Sequence, residues 1–136
     1  MSDITEFFEL QYAHICNYAS IDNNGNANIM GIFSQLNATA YPTTLGKFVV
    51  AVSLKSRLNT NKDFVFSVAI KSPDGKVQKP LVTNLKNAGE NNVMTVFAEI
   101  NNYVFQTPGK YEITIFMDDE VMKSISLNAA VAKKQA

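Results

Sequence analysis

Apolar and polar side chains alternate along this chain in short segments, the period that turns one face of a strand inward. Phe48, Val50, Val52 and Leu54 alternate with Val49, Ala51 and Ser53. Phe64, Phe66, Val68 and Ile70 alternate with Val65, Ser67 and Ala69, so each stretch predicts a strand. Tyr111, Ile113, Ile115 and Met117 are interleaved with Glu112, Thr114, Phe116 and Asp118. Val121, Lys123, Ile125 and Leu127 follow after only Asp119 and Glu120, which predicts a β-hairpin with a solvated acidic tip. In Ser72-Pro73-Asp74-Gly75 the proline sets φ and the glycine accepts positive φ, so the chain reverses there. A strand over 77–85 should follow, and Pro80, which lacks a ladder donor, assigns it to a sheet edge or a bulge. Met94, Val96, Ala98 and Ile100 alternate with Thr95, Phe97 and Glu99, after which Pro108-Gly109 turns the chain into Tyr111.

The amino-terminal segment carries two periods. Ile4, Phe7, Phe8 and Ile15 sit at helical spacing, whereas Phe8, Leu10, Tyr12, Cys16 and Tyr18 fit alternation. The turn-forming run Ile21-Asp22-Asn23-Asn24-Gly25 and the β-like run from Ile29 to Phe33 favour two strands, over about 9–18 and 28–36. About eight strands with no long helix between them define an all-β chain, an antiparallel β-sandwich, with a small β-barrel as the alternative. The expectation is a single domain over 1–136, with its core at about 9–128 and a flexible, Ala-rich tail at 129–136.

Composition agrees with this class. β-branched and aromatic residues form a third of the chain and suit a pleated surface, and asparagine clusters fall where turns are expected. The 12 basic and 12 acidic residues cancel, so no electrostatic grip on nucleic acid or acidic membrane is expected. No run approaches the roughly 20 apolar residues of a bilayer-spanning helix. Cys16 is the single cysteine, which excludes an intramolecular disulfide framework, and the acidic start lacks the basic and apolar regions of a signal peptide. A cytoplasmic location is the resulting expectation.

Three segments resemble a bacterial family of small domains of unknown function: Ala13-His14-Ile15-Cys16-Asn17-Tyr18-Ala19, Ile29-Met30-Gly31-Ile32-Phe33, and Pro108-Gly109-Lys110-Tyr111-Glu112-Ile113 with its closing acidic hairpin. The likeness covers residues 11–128. It implies an immunoglobulin-like β-sandwich and no reaction.

Candidate chemistry is sparse. His14 and Cys16, two apart on a strand, share a face, but zinc takes three or four ligands and no second His or Cys exists. Asp22, Asn24, Asn26 and Asn28 resemble the start of a calcium loop, yet Ala27 and Phe33 stand where that loop needs its glycine and its bidentate glutamate. This segment reads as a hairpin tip. Asp118, Asp119 and Glu120 read as a solvated turn, without the desolvation that tunes a catalytic carboxylate. No phosphate loop, nucleophile elbow or Ser/His/Asp set occurs, so neither an enzyme nor a cofactor is expected.

Several aromatics fall outside the main alternation, among them Phe7 and Phe8. Phe97, Phe116, Tyr103 and Phe105 are the candidates for an exposed interaction surface. The functional expectation is a noncatalytic module for protein interaction or assembly, by edge pairing or an aromatic face in a homodimer. The alternative is a small-ligand or carbohydrate-binding module, which the absence of tryptophan makes less favourable.

Overall fold

The computed structural model describes residues 7–57, 63–86 and 92–132, and these form two packed sheets built from nine strands. The strands are β1 (Phe8–Ile21), β2 (Ala27–Ile32), β3 (Gln35–Ala38), β4 (Thr43–Ser56), β5 (Asp63–Lys71), β6 (Val77–Lys86), β7 (Val93–Phe105), β8 (Gly109–Met117) and β9 (Glu120–Val131). Sheet A has the order β2-β1-β4-β7 and sheet B the order β3-β9-β8-β5-β6. The expected sandwich is therefore present.

The inward positions of the alternating strands make the core between the sheets: Phe48, Val50, Val52 and Leu54 from β4, Phe64, Phe66, Val68 and Ile70 from β5, and Tyr111, Ile113, Ile115 and Met117 from β8. Aromatic rings meet edge to face within it, Phe8 on Phe64 at 4.7 Å and Phe105 on Tyr111 at 4.8 Å between centroids. The Tyr111 hydroxyl donates to the Thr107 carbonyl at 2.8 Å and pins the Pro108-Gly109 corner. Gly109 is required there, because its φ is +138° and a Cβ would lie 2.7 Å from Cγ of Pro73.

Three departures from the expected fold have local causes. The run from Asn28 to Leu36 is two strands, because the chain passes from sheet A to sheet B at Phe33–Ser34; hence nine strands in place of eight. The second of them, β3, pairs parallel to β9, so sheet B is not wholly antiparallel. That same ladder, Gln35 to Ala38 against Asn128 to Val131, carries β9 past the expected end of the core at 128. Ala129 is 2% exposed, and residues 129–131 belong to the sheet rather than to a tail; residues 133–136 lie outside the described part.

Other turns form where expected. Asp118 and Asp119, both at positive φ, are the two central residues of the acidic hairpin, and Glu120 already pairs with Met117. β6 is the edge of sheet B, where Lys79 and Pro80 together face Ala69 in a bulge that spares the ladder a missing donor.

Candidate functional site

The solvent side of sheet A is the first feature to set apart. An extra residue at Gln11 shifts the β1 register, so Phe8 and Leu10 point into the core before it while Tyr12, His14 and Cys16 point outward after it. Cross-strand partners share a face, which orders this surface into rows. One row runs Ile32, Cys16, Val49, Glu99, the next His14, Ala51, Phe97, and the third Tyr12, Ser53, Thr95. Cys16, Val49 and Ala51 form a second small apolar cluster with at most 1% exposure, although they lie on the outside of the sandwich. Tyr12 and Phe97 pack over them, His14 stacks on Tyr12 at 5.6 Å, and Ile32 stands 56% exposed beside Cys16. The Cys16 thiol donates to the Val49 carbonyl at 3.6 Å, and burial raises its pKa. At the rim Lys47 meets Glu99 at 2.8 Å and lies 5.3 Å from the Tyr18 ring centroid.

The second feature is a cleft of about 430 Å3 on the flank of the sandwich, between β6 at the edge of sheet B and β7 at the edge of sheet A. Asp74, Gln78, Asn101, Asn102, Tyr103 and Gln106 are in its wall. Asp74 is held by its own turn: its carboxylate accepts from the Ser72 hydroxyl and the Lys76 backbone N–H, and the Ser72 bond is the main cause that lowers its pKa. Lys76 Nζ lies 3.9 Å from the same carboxylate.

The four aromatics expected on one surface are separated. Phe97 is half-buried on the outside of sheet A, and Phe116 half-buried on the outside of sheet B, with Lys79 Nζ 5.5 Å from its ring centroid. Tyr103 and Phe105 are core residues, 8% and 1% exposed, and this corrects the expectation of exposure. The cause is a slip in alternation. Gly46 and Asn102 drop out of the β4–β7 ladder where they would face each other, and Asn102 adopts φ 55°. Ala98 and Ile100 point inward before the slip, Tyr103 and Phe105 after it. Sequence reading missed Tyr12 and Ile32; the signal for the cluster they border was the apolar character of both faces of β4, which marks a strand covered on both sides.

His14 and Cys16 do share a face, without further ligand-type residues: among the described residues no three His, Cys, Asp or Glu side chains cluster. The Asp22 carboxylate accepts from Asn26 and Asn24 backbone N–H groups, each at 2.9 Å, as a hairpin tip requires; the Asn26 bond is the main cause that lowers its pKa. Asp118 ties the acidic turn to β5, accepting from Val65 N–H at 2.8 Å. No helix among the described residues is long and apolar enough to cross a membrane.

These features define a two-sheet β-sandwich with one apolar outer face and a polar flank cleft. The chain belongs to the family of unknown function DUF6941, whose model matches residues 11–130. No curated protein matches it. Among solved structures it is similar to part of a β-glucosidase from Listeria innocua, with TM-score 0.57 and 12% identity, covering 90% of this chain and 16% of that one. A β-glucosidase from Erythrobacter marinus gives TM-score 0.59 and 9% identity, over 90% of this chain and 15% of that one. The alkylpurine DNA glycosylase AlkC of Pseudomonas fluorescens, bound to DNA containing an abasic site analog, gives 0.52 and 14%, over 87% and 30%. The chain thus spans less than a third of each, and at these identities the likeness concerns the fold alone.

Proposed function

We propose that this chain is a noncatalytic assembly module that pairs with a second copy of itself through the outer face of sheet A. The observation that carries the reading is the floor of Cys16, Val49 and Ala51, fully buried on the solvent side of a two-layer fold and bordered by Tyr12, Phe97 and Ile32. Aromatic and aliphatic groups around a dry centre are the composition of an interface core. The partner is taken to be a copy because the face is compatible with itself. The formal charge of the chain is zero, and a two-fold axis would set the Lys47 and Glu99 of one copy against the Glu99 and Lys47 of the other. The absence of catalysis rests on side-chain chemistry: the single imidazole stacks on Tyr12, and the cleft carboxylate is already engaged by Ser72 and Lys76.

We read the sandwich as immunoglobulin-like. The order β2-β1-β4-β7 against β3-β9-β8-β5-β6, with the run 27–38 divided between the sheets as β2 and β3, supports that reading, as does the Tyr111 hydroxyl bonded to Thr107 in the manner of a tyrosine corner.

Light scattering after size exclusion at micromolar concentration tests the assembly. The wild-type chain should run as a dimer, and Ile32→Asp, at an exposed site that does not threaten folding, should run as a monomer. Phe97→Ser should weaken the dimer about tenfold or more, while Phe116→Ser on the other sheet leaves it intact. A wild-type chain that stays at 15.0 kDa overturns the reading.

A further inference from the structure

We propose that the flank cleft between β6 and β7 is a binding site for a small, neutral, hydroxyl-rich ligand, a saccharide of one or two units, anchored on the Tyr103 hydroxyl.

The slip at Asn102 builds this site. By reversing the alternation it drives the Tyr103 ring into the core, against Phe48, Phe105 and Tyr111, and leaves Asn101 and Asn102 side by side at the cleft. Asn102 holds φ 55° there, a left-handed conformation that asparagine adopts more readily than most residues. Tyr103 itself is 8% exposed, and its hydroxyl has no hydrogen-bond partner among the described residues. Yet among the described residues no polar side-chain atom that is fully enclosed lacks a partner, so this hydroxyl opens into the cleft whose wall it forms. A buried ring with a free polar tip at the bottom of a cleft is a recognition group waiting for a partner. Burial, reinforced by Tyr111 and Asp74, pushes its pKa up to about 12, so it remains a donor throughout the physiological range.

The lining selects the ligand class. Asp74 Oδ2 and Lys76 Nζ lie 3.9 Å apart and offset each other, and no arginine is among the described lining residues to fork onto a phosphate or carboxylate. Anions and cations therefore gain little. Gln78, Asn101, Asn102 and Gln106 offer amide groups that donate and accept side by side, which matches hydroxyls that do both. Pro80 and Val104 supply apolar wall for the C–H faces of a sugar ring. No aromatic face lies open for a flat heterocycle, since the Tyr103 and Tyr111 rings pack edge to face inside. At about 430 Å3 the cleft falls within the usual range for small-molecule sites.

The experiment is chemical-shift mapping of the full chain with glucose, maltose and cellobiose at millimolar concentration, and glucose 6-phosphate as the charged comparison. Shifts confined to the amides of Asn101, Asn102 and Gln106 for at least one neutral sugar, and weaker with the phosphate, are expected. Tyr103→Phe should fold with unchanged stability, because the hydroxyl holds nothing within the protein, and should bind the sugar about tenfold more weakly, the cost of one hydrogen bond. Ile32→Asp, on the far face, should bind it normally. Absence of shifts at every sugar, shifts elsewhere, or a Tyr103→Phe chain that binds as well as wild type overturns the proposal.

Discussion

The outer faces of the two sheets are built from similar strands and end in opposite states. On sheet A the central positions are small and apolar, and larger rings close over them, so the outside of the sandwich contains a dry layer. On sheet B the equivalent centre is polar: Thr114 and Ser124 hydroxyls meet at 3.1 Å, and Ser124 donates to Glu112 at 2.7 Å. A more apolar row, Val82, Ser67, Phe116 and Val121, lies toward the acidic hairpin, with Lys79 over the Phe116 ring. Sheet B is finished mainly with hydrogen-bonded polar groups, whereas sheet A carries an apolar layer on its outer face. A central strand is buried on both sides in each sheet, and what distinguishes them is the company of the outer positions: Cys16, Val49 and Ala51 form an apolar cluster on sheet A, whereas on sheet B Ser67 and Ala69 lie beside Phe116 and the hydrogen-bonded Thr114.

The most severe way to test this difference is to put a charge on each face. Ala51→Glu would force a carboxylate into the apolar cluster under Tyr12 and Phe97 and is expected to cost about 3 kcal/mol or more, whereas Val121→Glu on sheet B should change stability by less than about 0.5 kcal/mol. Urea denaturation reads both, and equal effects would show that the sheet A layer is not dry. Next comes Cys16, whose burial and raised pKa predict that a thiol reagent modifies it in the native chain at least about a hundredfold more slowly than in denaturant, since reaction must wait for opening. Ser124→Ala should remove about 1 kcal/mol on sheet B, because it leaves Thr114 and Glu112 to water, and should leave the oligomeric state alone.

The smallest effect is common to both sheets. Asp22 closes the β1–β2 hairpin of sheet A and Asp74 the β5–β6 hairpin of sheet B, and backbone and hydroxyl donors lower both pKa values in the fold. Their contribution is therefore present above the unfolded carboxylate pKa of about 3.9 and is lost as pH falls through the lower folded values. A pH titration of stability should show a modest loss in that window, and Asp22→Asn with Asp74→Asn should flatten it.

Much of the architecture was legible from alternation alone, because β5 and β8 keep one phase over their inward positions and their turns use residues suited to them; in β9 an extra residue at Met122 resets the phase, so Val121 faces outward while Ile125 and Leu127 face the core. What escaped reading depends on single residues that reset the phase. Gln11 turns Tyr12 and Cys16 outward after Phe8 and Leu10 point inward, and the Gly46–Asn102 interruption turns Tyr103 and Phe105 from expected surface into core. A bulge needs no special residue type, so neither position announces itself. Pairing is equally silent: nothing in Gln35 to Ala38 indicates that its partner is the segment after Leu127. The cleft was missed for the same reason, since its wall is assembled by the slip.

The parallel β3–β9 pair bears on how the molecule is made. A ribosome delivers β3 early, and its partner follows only about 90 residues later, after every other strand has emerged. The crossing from sheet to sheet at Phe33–Ser34 therefore stays without its far anchor during synthesis. Completion of the sandwich is expected to be a late, single closing event rather than a strand-by-strand accumulation.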